Sequence, residues 1–185
     1  VLYCTFAQTA AWAPGESYGK KKEHGGLFAH AAALEARGID PYLVWLAETR
    51  RAGRSPWISI RMNDIHCADE PDHPLHGSLW REHPELRRVT YRPMRTWPDL
   101  AFNFACPRAR EHMLDVVKDH MERYDADGFE IDWMRFGFHF APGYEDEGRD
   151  ILNDMMCAIR AEADRQALRR GHPIVTQPDH VAGQV

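Results

Sequence analysis

The chain holds 185 residues, 44% of them hydrophobic and 28% charged, with a formal net charge of -5. That balance is enough to bury the core of one globular domain, and without a basic stripe it excludes an electrostatic nucleic-acid interface. No run of about 18 apolar residues occurs, which excludes a membrane-spanning helix.

The chain opens at Val1 on an apolar stretch with neither an initiator methionine nor a basic leader. Localisation therefore stays open, with a secreted or periplasmic setting slightly favoured. Cys4, Cys67, Cys106 and Cys157 are far apart and show no CxxC or Cys/His finger spacing. They read as reduced thiols, not as a disulfide framework or a structural zinc site.

In chain order, apolar runs alternate with helical patterns, the signature of a parallel sheet with crossover helices. Val1–Phe6 is a strand candidate. Gly26–Arg37 reads as a helix with Leu27, Ala31 and Leu34 on one face, closed by Gly38. Asp40 and Pro41 then supply an N-cap and a first helical residue, and Leu43, Val44 and Ala47 form the expected apolar face up to Gly53. Pro56–Met62 follows as a strand. Asn63–Trp97 is rich in His, Pro, Arg and Trp and nearly without periodicity, which in a compact domain suggests a functional excursion. Leu100–Ala105 is the next predicted strand. After Pro107, helical spacing returns, with Leu114, Val117, Met121 and Tyr124 on one side. Gly128–Trp133 is a strand, Arg149–Arg169 a helix with Leu152, Met156, Ile159 and Ala163 inward, and Pro173–Gln177 the last strand.

Each predicted strand ends in polar side chains. Arg61 leads into Asn63, Asp64 and His66; Phe102 into Asn103; Ile131 into Asp132 and Arg135; and Thr176 into Gln177, Asp179 and His180. The opposite ends, Ser55-Pro56, Pro98-Asp99 and His172-Pro173, read as entry turns. In parallel α/β folds the carboxyl ends of strands carry the active site. Asn63, Asp64, His66, Asn103, Glu130, Asp132, Arg135 and Gln177 are accordingly expected to line one concavity.

The densest block is Asp127–Phe136. Phe129, Ile131 and Trp133 alternate with Glu130, Asp132 and Met134, so two acids share one strand face. Burying such a pair costs several kcal/mol in desolvation and repulsion, which points to chemical use; the alternative is a structural acid satisfied by Arg135 and backbone amides.

Asn103-Phe104-Ala105-Cys106-Pro107-Arg108-Ala109-Arg110, a helix, and then Arg123-Tyr124-Asp125-Ala126-Asp127-Gly128-Phe129-Glu130-Ile131-Asp132-Trp133-Met134-Arg135 resemble the glycosyl hydrolase-like family ten. Its pattern runs N-x-x-x-P-x-x-R, helix, R-Y-D-x-D-G-I-H-x-D-x-x-R. Arg61-Met62-Asn63-Asp64-Ile65-His66 and His83-Pro84-Glu85-Leu86 resemble further blocks of its bacterial relatives. The D-G-F-x-x-D piece is also similar to the fourth barrel strand of the α-amylase family, whose second Asp is the nucleophile and falls on Asp132. Where chitinases carry their catalytic acid, this sequence has Met134.

The resemblance implies an α/β fold of the (β/α)8 TIM-barrel type. Such barrels need about 250 residues, so residues 1–185 are expected to form a single, partial barrel domain. It also implies a hydrolase that cleaves the O-glycosidic bonds of a carbohydrate substrate without a cofactor. Asp132 is the expected nucleophile or stabilising carboxylate, and Glu130 its orienting partner or the acid, unless the second carboxylate lies outside the chain. Arg61, Asn63, Asp64, His66, Asn103, Arg135, His139 and Gln177 are candidate sugar-binding residues, with Trp133, Trp80 and Trp97 as possible stacking platforms. Two alternatives are a metal-dependent hydrolase using Asp64, His66, Glu130, Asp132 and His180, and a barrel that binds carbohydrate without cleaving it. The sugar and the oligomeric state are not legible in the sequence.

Overall fold

The computed structural model describes residues 1–5, 33–34, 36–72, 76–135 and 137–178. Its centre is a four-stranded parallel sheet in the order β1-β2-β3-β4: β1 Leu2–Thr5, β2 Trp57–Arg61, β3 Gly128–Asp132 and β4 Val175–Pro178. Each strand pairs with the next in sequence. A parallel order that always advances to the next neighbour places right-handed crossovers on one face, whereas a doubly wound sheet reverses direction. Among the described residues the four strands do not close into a barrel.

Helix α1, Pro41–Arg51, precedes β2. The excursion after β2 contains α2, Ser78–Glu82, and two 3-10 turns, Pro84–Leu86 and Trp97–Leu100. Helix α3, Pro107–Arg123, leads into β3, and α4, Glu145–Arg170, into β4, where Gly171 ends it with φ 75.

Because successive strand residues face opposite sides, Ile58, Ile60, Phe129 and Ile131 form one wholly buried apolar face. They share a core with Met113, Val116, Val117 and Met121 of α3 and Met155, Ile159 and Ala163 of α4. The other face carries Trp57, Ser59 and Arg61 on β2, Gly128, Glu130 and Asp132 on β3, and Val175 and Gln177 on β4. Trp57 lies flat against Gly128: a Cβ built there would meet its ring at 2.6 Å.

Three expectations are corrected. Leu100–Ala105 is not a strand: Pro98 sits in a 3-10 turn, β2 pairs directly with β3, and the segment contributes only an isolated antiparallel bridge between Arg87 and Phe102. In α1 the buried stripe is Tyr42, Leu46 and Thr49, while Leu43 and Val44 stay 47% and 46% exposed, so the helix is turned by one residue from the expected face. Asp40 does cap it, accepting from the Tyr42 N–H at 2.9 Å. Helix α4 starts a turn before Arg149, and Met155 is buried more deeply than Met156. Most of the predicted helix Gly26–Arg37, together with Phe6, Asp179 and His180, lies outside the described residues.

The amino-terminal strand ends are also richer than entry turns. Arg50 pairs with Asp125 at 3.1 Å and Asp127 at 2.6 Å, Ser55 donates to Asp127, and His172 lies 2.7 Å from Asp125. These groups satisfy one another and tie α1, β3 and the entry to β4 together.

Candidate active site

At the carboxyl end of β3, Asp132 turns back on its own chain. Its Oδ1 accepts the N–H groups of Met134 at 3.0 Å and Arg135 at 2.7 Å, a local turn that Asp favours for this reason. Its carbonyl accepts the Met62 N–H at 2.9 Å, which carries the β2–β3 ladder to the end of both strands. Oδ2 has no hydrogen-bond partner among the described residues. Arg135 therefore meets the carboxylate through its main-chain amide, the backbone part of the structural alternative, and its side chain is exposed.

Register places Arg61 beside Asp132, and Ser59 and Gln177 on either side of Glu130. Neighbouring strands are about 4.8 Å apart, so these side chains start from adjacent positions on one face. Glu130 is half-buried two residues behind Asp132, and no hydrogen bond or ion pair engages its carboxylate among the described residues. Gln177 is exposed.

Beyond Arg61 the chain turns through Asp64. This carboxylate is 4% exposed, and Arg61 Nη1 donates to its Oδ2 at 2.8 Å. His66 Nε2 lies 2.9 Å from Oδ1 and 3.1 Å from Oδ2 of the same group. Arg61, Asp64 and His66 thus form one cluster, with His66 40% exposed at its rim. The backbone just after His66 is strained: Cys67 has φ 52, a conformation costing an L-residue about 1–2 kcal/mol.

Other predicted site residues go elsewhere. Asn63 is buried: its Nδ2 donates to the carbonyls of Phe102 and Phe138, each at 2.9 Å, and its Oδ1 accepts the Phe102 N–H at 3.0 Å. With its hydrogen bonds spent on backbone, it is a strut between the β2 end, the excursion and the loop after β3. Asn103 sits in the turn before α3, with its side chain accepting the Ala105 N–H at 3.0 Å.

Trp133 is in the core, edge-on to Phe104 with ring centroids 6.0 Å apart, so it is no stacking platform. Trp80 is buried as well; Trp97 is 40% exposed. His139 is buried too, parallel to Phe104 at 5.7 Å and perpendicular to Trp133 at 5.3 Å. Its Nε2 donates to the Trp133 carbonyl at 2.9 Å, and burial pushes its pKa down to about 4. Both belong to the packing behind the site. His76, which the sequence did not single out because it is one more histidine in an aperiodic stretch, is buried with its Nε2 2.7 Å from the His66 carbonyl.

Among the described residues, no group of three or more His, Cys, Asp or Glu side chains is placed to hold a metal ion. No described helix is long and apolar enough to cross a membrane.

The sequence matches no protein-family model and no curated protein. The chain is similar to solved structures of glycosidases. Against alpha-L-fucosidase isoenzyme 2 from Paenibacillus thiaminolyticus, the TM-score is 0.50 with 20% identity, over 80% of this chain and 23% of the fucosidase. Against the galactosidase domain of the alpha-galactosidase-sucrose kinase AgaSK, it is 0.43 with 15% identity, over 75% of this chain and 18% of that one. Against the alpha-galactosidase from Lactobacillus brevis, it is 0.45 with 10% identity, over 96% of this chain and 26% of that one. The chain spans about a quarter or less of the length of each, and what it shares with the fucosidase is a mixed α/β fold around a parallel sheet.

Proposed function

We propose that the chain is the site-bearing part of a (β/α)8-barrel glycoside hydrolase, acting on O-glycosidic bonds of an oligo- or polysaccharide. One observation carries the reading. Asp132 stands at the carboxyl end of an interior strand, one oxygen fixed by two backbone N–H groups and the other unpartnered among the described residues. A carboxylate held by one edge and open at the other can approach an anomeric carbon without first reorganising. The one-directional strand order and the fold likeness to a fucosidase support a barrel. Helices on one face leave the Glu130–Asp132 face as its interior.

In this reading Asp132 attacks the anomeric carbon or stabilises its developing positive charge. Glu130, behind it on the same face, orients it or shares its proton, and a protonated carboxyl delivers the proton to the leaving oxygen. Arg61 and His66, held by the buried Asp64 carboxylate, grip sugar hydroxyls at the neighbouring strand end, with Gln177 and Arg135 on the far side. Asn63, Trp133 and His139 support the site from behind.

The test is a panel of aryl glycosides and polysaccharides offered to the full-length protein. Release of aglycone or reducing sugar at a rate that falls when Asp132 is replaced supports the reading. Binding of a glycan with no turnover of any substrate would make the protein a carbohydrate-binding barrel.

A further inference from the structure

We propose that His76 is a positioning residue for this site: its imidazole holds the strained turn that presents His66 to Asp64. The inference rests on the reading of the site given above, and it assigns a task to the excursion between β2 and α3.

His76 is wholly buried, its ring centroid 4.0 Å from that of Trp80. Trp80 is itself fixed. Its Nε1 donates to the Leu100 carbonyl at 2.7 Å, the Arg87 guanidinium carbon lies 3.9 Å from its ring centroid, and Arg87 Nη2 donates to its carbonyl at 2.8 Å. The imidazole is therefore backed by a rigid aromatic plate. From there Nε2 reaches the His66 carbonyl at 2.7 Å, and because a carbonyl only accepts, that nitrogen carries the proton. The other ring nitrogen faces the Pro71 carbonyl at 3.4 Å, so one ring spans the turn from His66 to Pro71.

Inside that turn, Cys67 is the only non-glycine residue with positive φ among the described residues, and the Glu70 N–H closes on its carbonyl at 2.9 Å. A shift of the backbone across the His66–Cys67 peptide that relieved the strained angle would also move the His66 ring relative to Asp64. The hydrogen bond from His76 grips the carbonyl of that peptide, and strain of this kind persists only where the surroundings over-determine it. On the other side of Asp64, the Asn63 strut fixes the chain. The Asp64–His66 segment is thus anchored at both ends.

The experiment uses the full-length protein and follows alkylation of Cys67 by iodoacetamide with peptide mass spectrometry, with exposed Cys157 as internal reference. In His76→Phe, which keeps a ring on Trp80 but removes the donor, Cys67 should react about fivefold faster, the change expected for loss of one hydrogen bond, with Cys157 unchanged. His76→Gln, whose amide retains a donor, should fall between. On a glycoside substrate, kcat/KM of His76→Phe should drop by about tenfold, as expected when a substrate contact is misplaced. Unchanged Cys67 reactivity in folded His76→Phe overturns the proposal, and so does faster alkylation with wild-type kcat/KM. If His76→Phe does not fold, nitrogen NMR of the unmodified protein decides. A slowly exchanging Nε2–H on His76 supports the proposal, and a ring protonated at Nδ1 alone contradicts it. Absence of glycoside turnover in the unmodified protein would count against the proposed function alone, because the alkylation and NMR readouts do not depend on it.

Discussion

Asp132 and Asp64 are both held by donors, but in opposite ways. Asp132 is oriented by two amides and left open, while Asp64 is enclosed by Arg61 and His66. Asp64→Asn should therefore act on stability, leaving the Arg61 cation half-paired. Breaking a fully buried pair costs about 3–5 kcal/mol, and because Arg61 keeps partial solvent access we expect about 2–3 kcal/mol in urea unfolding. Asn63→Ala orphans the buried backbone N–H and carbonyl of Phe102 and the part-buried carbonyl of Phe138, for an expected loss of about 3 kcal/mol in the same assay. His139 gives a pH dependence. Its folded pKa of about 4 lies below the ordinary 6.5, so between those values the unfolded chain binds the extra proton and stability falls with acidification. A shift of that size corresponds to about 3 kcal/mol lost from pH 7 to pH 4, and His139→Phe should remove that share of the slope in melting curves. Half-buried His172, raised by its hydrogen bond to Asp125, works the other way, its small contribution being lost as pH rises through its folded value. The alternation that puts Glu130 and Asp132 on one face was readable from sequence because strand periodicity is local. Asn63 and His139 were misread because their partners lie far along the chain or in a core whose packing no spacing reveals.

Among elements, β2 and β3 fit together through one contact that sequence hides. Trp57 covers Gly128 so closely that a methyl group there would overlap the indole, six-membered ring included. Gly128→Ala should destabilise the sheet by about 1–3 kcal/mol, the usual range for overpacking, and Trp57→Leu in the same chain should recover part of that loss in thermal melts. The same limit explains which elements were legible. Asp40-Pro41 announced α1 by its capping chemistry, yet the buried face of α1 depends on what it meets, and a shift of one residue turns a helix by about 100°. Leu100–Ala105 has strand composition, but direct pairing of β2 with β3 leaves it no place in the sheet.

For the whole molecule, the one-directional strand order and the separation of an apolar helix-facing side from a polar side follow from alternating patterns that the sequence displays. The two strand ends differ in what their polar groups do. The amino-terminal network of Arg50, Asp125, Asp127 and His172 is self-satisfied, while the carboxyl end keeps Glu130 and one oxygen of Asp132 open. On that asymmetry we propose that the chemistry sits at the carboxyl end, with Asp132 central to it. The most direct measurement is glycoside turnover and melting temperature on one preparation of the full-length Asp132→Asn protein. The amide keeps the shape and the acceptor oxygen that binds the Met134 and Arg135 amides, so the Tm should stay within a few degrees. Without the negative charge turnover should fall by roughly three orders of magnitude or more. Near wild-type turnover, or a collapse of the Tm with activity retained in the folded fraction, would contradict the account and make Asp132 a structural acid.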